Sequence, residues 1–166
     1  MNKLTRIFKH LVASRWQVRR RLPRRSMLAI EDAIAEPEKL HMGELRFAVE
    51  AGLEWYELVA GVTSRERAVE VFSQLRIWDT ELNSGVLIYL LLADRKVEII
   101  ADRGIHARVG NEAWTGICQD MESSFRTGDF EGGVLLGISA ISNLLLQHFP
   151  AHADNQNELD NHPVVL

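Results

Sequence analysis

Apolar residues in this chain recur first by threes and fours, then by twos, then by threes and fours again. Leu4, Ile7, Phe8, Leu11 and Val12, with Trp16 one turn further on, predict a short amphipathic helix. Pro23 ends it and opens the next helix, because a proline is tolerated only in a helix's first turn. Residues 24–40 keep helical spacing through Leu28, Ala29, Ala33, Ile34 and Leu40, until His41-Met42-Gly43 breaks the pattern. Leu45, Phe47 and Val49 then alternate with Glu44, Arg46 and Glu50, which predicts a strand. Residues 52–61 read as a loop or a single helical turn. Thr63 or Ser64 caps a helix that turns Ala68, Val69, Val71, Phe72 and Leu75 inward. The run Val86–Leu92 is apolar on both faces and predicts a central strand. A turn at 93–96 leads to a return strand at 97–101. Helices follow at 111–127 and 130–149, with Gly128 ending the first and Asp129 capping the second. Residues 151–166 show no period and are expected to form a disordered tail.

This order places helices on both faces of a small mixed sheet. The strands at 45–49 and 86–92 should run parallel through a right-handed crossover. The chain divides into a basic arm at 1–23, an α/β domain at 24–150 and the tail at 151–166.

Composition excludes several classes. The chain has 166 residues, 46% hydrophobic and 25% charged, which is ordinary for a globular protein. The single Cys118 excludes a disulfide framework and a cysteine-based zinc site, and its place between Ile117 and Met121 marks it as a buried, inert thiol. No uninterrupted apolar run approaches the roughly 20 residues of a membrane span. No P-loop, GxGxxG, GxSxG or HExxH motif occurs.

Charge becomes informative once it is divided along the chain. Net charge is −4, yet residues 1–25 hold nine basic side chains and no acid. They include Arg15, Arg19, Arg20, Arg21, Arg24 and Arg25. The remainder carries a net charge of −13. A basic arm on an acidic body points to an interaction surface. Charges interrupt every candidate signal core in the arm, so it does not read as an export signal. Its apolar stripe either packs on the body, or lies on an anionic membrane surface as basic amphipathic helices do. Nucleic acid is a poor partner, because the body is acidic.

Hairpin geometry assembles a second candidate region. The entrance of one strand and the exit of its partner share an end, so Asp79, Glu81 and Asn83 should lie near Asp102, Arg103 and His106. The start of the parallel strand adds His41 and Glu44. Such an oxygen-rich rim suits Ca²⁺ or Mg²⁺, with Asp79, Glu81 and Asp102 as ligands and Arg103 as an anion contact. The alternative is ordinary loop chemistry, with Asp102 and Arg103 a surface pair of little energetic weight. Asp94 and Arg95 form the turn at the opposite end.

The runs Asn83-Ser84-Gly85-Val86-Leu87-Ile88, Asp94-Arg95-Lys96-Val97-Glu98-Ile99 and Asp102-Arg103-Gly104-Ile105 resemble the core of the TPM family, over roughly residues 40–150. The resemblance implies a three-layer α/β/α sandwich with Rossmann-like layering. It also implies one of two activities: acid phosphatase chemistry with Ca²⁺ in the rim loops, or an accessory role beside membrane complexes. Asn83, Gly85 and Gly104 carry over as loop and turn formers. The family's Gly-aromatic pair before Gly104 is Asp102-Arg103 here, and the acid expected after that turn falls on Asn111. Against the anchored, exported members, this chain is expected to be a cytoplasmic bacterial branch, peripheral to the inner membrane face. Two functions follow as expectations. The first is a non-enzymatic module whose arm binds a protein partner or an anionic membrane. The second is a divalent-metal-dependent phosphatase acting on phosphomonoesters through Asp102 and Arg103.

Overall fold

The computed structural model describes residues 3–151 and 157–166. They form eight helices and a four-stranded sheet. The elements run α1 (Lys3–Leu11), α2 (Arg15–Arg21), α3 (Arg24–Glu38), β1 (Glu44–Glu50), α4 (Trp55–Ala60), α5 (Ser64–Gln74), β2 (Gly85–Leu91) and β3 (Lys96–Ala101). They continue with α6 (Arg103–Val109), α7 (Asn111–Thr127), α8 (Phe130–His148) and β4 (Val164–Val165). Strand order is β3-β2-β1-β4. β1 pairs parallel to β2, with Leu45 opposite Val86 and Phe47 opposite Ile88, while β2 and β3 form the antiparallel hairpin. The sheet is therefore mixed and the architecture is an α/β/α sandwich.

Alternation along the strands divides the core. Leu45, Phe47, Val49, Val86, Ile88 and Leu90 face α2, α3, α6, α7 and α8. Ala48, Leu87, Tyr89 and Leu91 face α4, α5 and part of α1. By length and composition α8 could cross a membrane. Here it packs against α3 and α7, with Val134, Ile138, Ile141 and Leu145 buried.

Several local features follow from the residues. Thr63 and Glu66 form a reciprocal capping box at the start of α5. Gly128 ends α7 in the left-handed region and Asp129 caps α8 through the Gly132 amide. Arg19, Arg20 and Arg21 occupy the last turn of α2, where cations offset the helix's carbonyl end.

Four findings differ from the sequence reading. The arm is two helices broken at Val12-Ala13-Ser14, not one. α6 occupies a stretch read as a turn. Both faces of β1 are buried, so Glu44, Arg46 and Glu50 lie inside and not in water. The tail is not disordered over 157–166: β4 pairs with β1, and Leu159, Val164 and Leu166 pack on the second core cluster. Its residues 152–156 lie outside the described residues.

Candidate functional site

Hairpin and parallel pairing bring the starts of β1 and β2 and the end of β3 to one rim, as the topology requires. The loop before β2 is fixed by steric limits. A Cβ on Gly85 would lie 2.0 Å from the Ile77 carbonyl oxygen, and one on Gly104 would lie 2.5 Å from that of Asn83. Asn83 itself sits at φ +50, a left-handed position that asparagine tolerates well. Gly104, expected in a turn, lies in the first turn of α6, and no side chain fits there or at Gly85 without a clash.

The acidic residues of that rim lie apart from one another in their contacts. Asp79 is exposed and pairs with Arg76 at 2.7 Å. Glu81 is exposed, and its amide donates to the Glu158 carboxylate at 3.1 Å. Asp102 accepts from the Arg103 amide at 2.7 Å and caps α6, while its Oδ2 is buried and meets no donor. The Arg103 and His106 side chains are exposed. His41 is buried, with Nδ1 3.0 Å from the Gly43 carbonyl. Among the described residues no three His, Cys, Asp or Glu side chains gather as a cation site would require.

What fills the rim is the C-terminal segment. The Glu44 carboxylate accepts from the amides of Glu158 and Leu159, both at 3.1 Å. Arg46 lies 3.7 Å from Asp160. Glu38, nearly buried, accepts from the Leu45 amide at 3.0 Å, and burial pushes its carboxyl up to about 8. Burial also raises Glu44, against the two tail amides that favour its charge. Sequence reasoning named Glu44 and His41 here but missed Glu38 and Arg46, which only the folded tail brings into the group.

The opposite rim carries the arm. The contacts there invert an ordinary surface helix. His10 is 4% exposed, and its Nδ1 accepts from the Leu53 amide at 2.9 Å. Its Nε2 lies 3.1 Å from Asp94, which Arg6 Nε also contacts at 2.9 Å. Burial works against the Asp94 charge, but the contacts from His10 and Arg6 outweigh it and hold the carboxyl below its ordinary range. Ile7 alone of the apolar stripe is drawn toward the core. Leu4, Phe8 and Leu11, on the other side, are 74%, 67% and 63% exposed. Val12 and Trp16 are exposed where the chain passes from α1 to α2, and Arg15, Arg19, Arg24 and Arg25 are exposed beyond them.

A cleft of about 830 Å³ separates the arm from the body. Arg20 and Arg21 line its arm side, Arg95 and Phe130 its body side. The Arg21 guanidinium stands 4.9 Å over the Phe130 ring, and that of Arg20 5.4 Å over Trp16.

A buried ionic network lies under α5. Arg67 reaches both oxygens of Glu50, at 2.9 and 3.0 Å, and Tyr89 donates to Glu50 at 2.6 Å. Burial pushes the Cys118 thiol up to about 11, the setting of an unreactive cysteine.

An open mixed sheet covered by helices on both faces defines an α/β sandwich. The model of the TPM domain matches residues 22–144, and the chain belongs to that family. Its structure is similar to the NMR structure of BA42 protein from the psychrophilic bacterium Bizionia argentinensis, with a TM-score of 0.76 and 31% identity. That likeness covers 86% of this chain and 93% of the other. Among curated proteins none matches. The arm helices α1 and α2 and the rim-filling tail both lie outside the matched span.

Proposed function

We propose that this protein is an accessory module that docks reversibly on an anionic membrane surface through its arm, without spanning the membrane. The observation that carries this is the outward apolar ridge of Leu4, Phe8 and Leu11 on α1, whose polar side grips the body, followed by α2 with its exposed Trp16, Arg15 and Arg19. A helix arranged this way leaves its apolar face free for an acyl layer and its cations for lipid phosphates.

Magnitudes favour a reversible dock. Burying three such side chains supplies roughly 5 kcal/mol, an affinity near millimolar by itself. Each basic residue at an anionic surface adds about 1 kcal/mol. Three of them bring the total to about 8 kcal/mol, near micromolar, and salt should weaken it.

Co-sedimentation tests the reading. Full-length protein should pellet with phosphatidylglycerol vesicles, release at high salt, and ignore phosphatidylcholine. Phe8→Asp with Leu11→Asp should abolish pelleting while leaving the fold intact. Undiminished pelleting by that double variant would overturn the reading.

A further inference from the structure

We infer that the cleft between arm and body is a binding site for a phosphate group, presented either as a free phosphate ester or as a phospholipid headgroup. Only the choice between those two sources rests on the membrane-docking reading.

The charge balance of the cleft is the starting point. Lys9, Arg20, Arg21 and Arg95 line it, and Asp94 is the one carboxylate doing so among the described residues. Asp94 is already engaged by Arg6 and His10, and therefore does little to offset Arg20, Arg21 and Arg95. Arg20, Arg21 and Arg95 have no carboxylate at ion-pair distance among the described residues. A concave site with an excess of cations concentrates anions.

The guanidinium groups are also braced. Arg21 stacks on Phe130 and Arg20 on Trp16, so their aromatic supports restrict the side chains before any ligand arrives. Guanidinium is weakly hydrated, and its planar fork matches phosphate oxygens two at a time. Arg95 stands at φ +51 in the β2–β3 turn, held by its amide donating to the Leu92 carbonyl at 3.1 Å. The turn thus supplies a cation from the body to face those of the arm. A phosphate offers several oxygens to such a multi-sided array, whereas a carboxylate offers two.

The position of the cleft links it to the ridge. Val12 and Trp16 line the cleft and are exposed where the chain passes from α1, which carries the ridge, to α2. A lipid whose phosphate enters the cleft would leave its acyl chains on the ridge side.

The test follows the Trp16 indole N–H signal by NMR, identified by its loss in Trp16→Phe. The probes are inorganic phosphate, water-soluble dihexanoyl phosphatidic acid and phosphatidylglycerol vesicles. A saturable Trp16 shift, weakened by about tenfold in each of Arg21→Gln and Arg95→Gln, is the expected result. Saturation by both soluble probes identifies the phosphate group itself as the ligand, and saturation by the short-chain lipid alone identifies the headgroup. A shift that sodium chloride reproduces, no saturable shift with either soluble probe, or wild-type affinity in the two arginine variants would overturn the inference. Phe8→Asp separates the two readings, since it should lose the vesicles yet keep the soluble probes.

Discussion

His10 and Asp94 meet at 3.1 Å across the gap between the arm and the β2–β3 turn. The Leu53 amide donates to His10 Nδ1, which turns Nε2 toward the carboxylate. Asp94 therefore has the His10 ring against one oxygen and the Arg6 cation against the other.

This makes Asp94 the anchor of the arm. Asp94→Ala should cost about 1–3 kcal/mol, the range for losing charge-assisted bonds at a partly buried site. The damage should be local. Amide exchange across residues 4–12 should quicken strongly while the β1 and β2 amides keep their protection. Because Asp94 has a lowered folded pKa, its contribution is present above its ordinary value and is lost as pH falls through the folded one. Acid should loosen the arm before the body melts.

Glu38 predicts the opposite slope. Unfolded, it ionises near about 4.3; folded, it holds its proton up to about 8, chiefly through burial. The folded state is the tighter proton binder, so stability is greatest below the ordinary value and declines as pH rises toward about 8. Glu38→Gln keeps an acceptor for the Leu45 amide and removes the charge. Chemical denaturation of that variant at several pH values should show most of this decline gone, with a smaller residue from Glu44.

Arg67 is the counter-ion of a buried pair of acids. Glu50 and Glu57 are both 7% exposed, and Arg67 lies against each. Arg67→Ala should cost about 3–5 kcal/mol by stranding those charges. Arg67→Lys should recover little, because one ammonium cannot reproduce the two-oxygen grip on Glu50. Urea unfolding measures both.

A rim cation has a direct thermal test. An ion at 100 times its dissociation constant would stabilise the fold by about 2.7 kcal/mol. Melts with EDTA, Ca²⁺, Mg²⁺ and Mn²⁺ should coincide, since Asp79 and Asp102 have separate partners and, among the described residues, no three acids or histidines gather at the rim. A shift with one ion, abolished by Asp102→Ala, would instead favour the metal-dependent phosphatase, with the unpartnered Asp102 Oδ2 as its first ligand atom.

The sheet and most helices were readable because their apolar spacing is strong and local. The Val86–Leu92 run could be little but a central strand, and Gly128-Asp129 marks a helix junction by its conformational needs. Periodicity failed where distant partners decide the outcome. A two-residue strand such as Val164-Val165 has no period, and its pairing with Ala48 and Val49 is a long-range event. Glu38 and Arg46 look like surface residues until the tail covers them. In α6 a signal was present, with Asp102 as cap and Ile105 and Val109 four apart, but it was too short to outweigh a turn. The arm stripe was legible as a helix, yet no spacing rule reveals that Asp94 waits to draw its polar side inward.

That inverted helix bears on how the sequence tolerates change. On most surface helices, folding screens would punish apolar positions and forgive charged ones. In α1 the ranking should reverse. Leu4, Phe8 and Leu11 should accept nearly any residue in a screen that scores only folding, while Arg6 and His10 should resist substitution. A second screen scoring attachment to anionic vesicles should restrict the first three, and the gap between the two maps would trace the docking surface residue by residue.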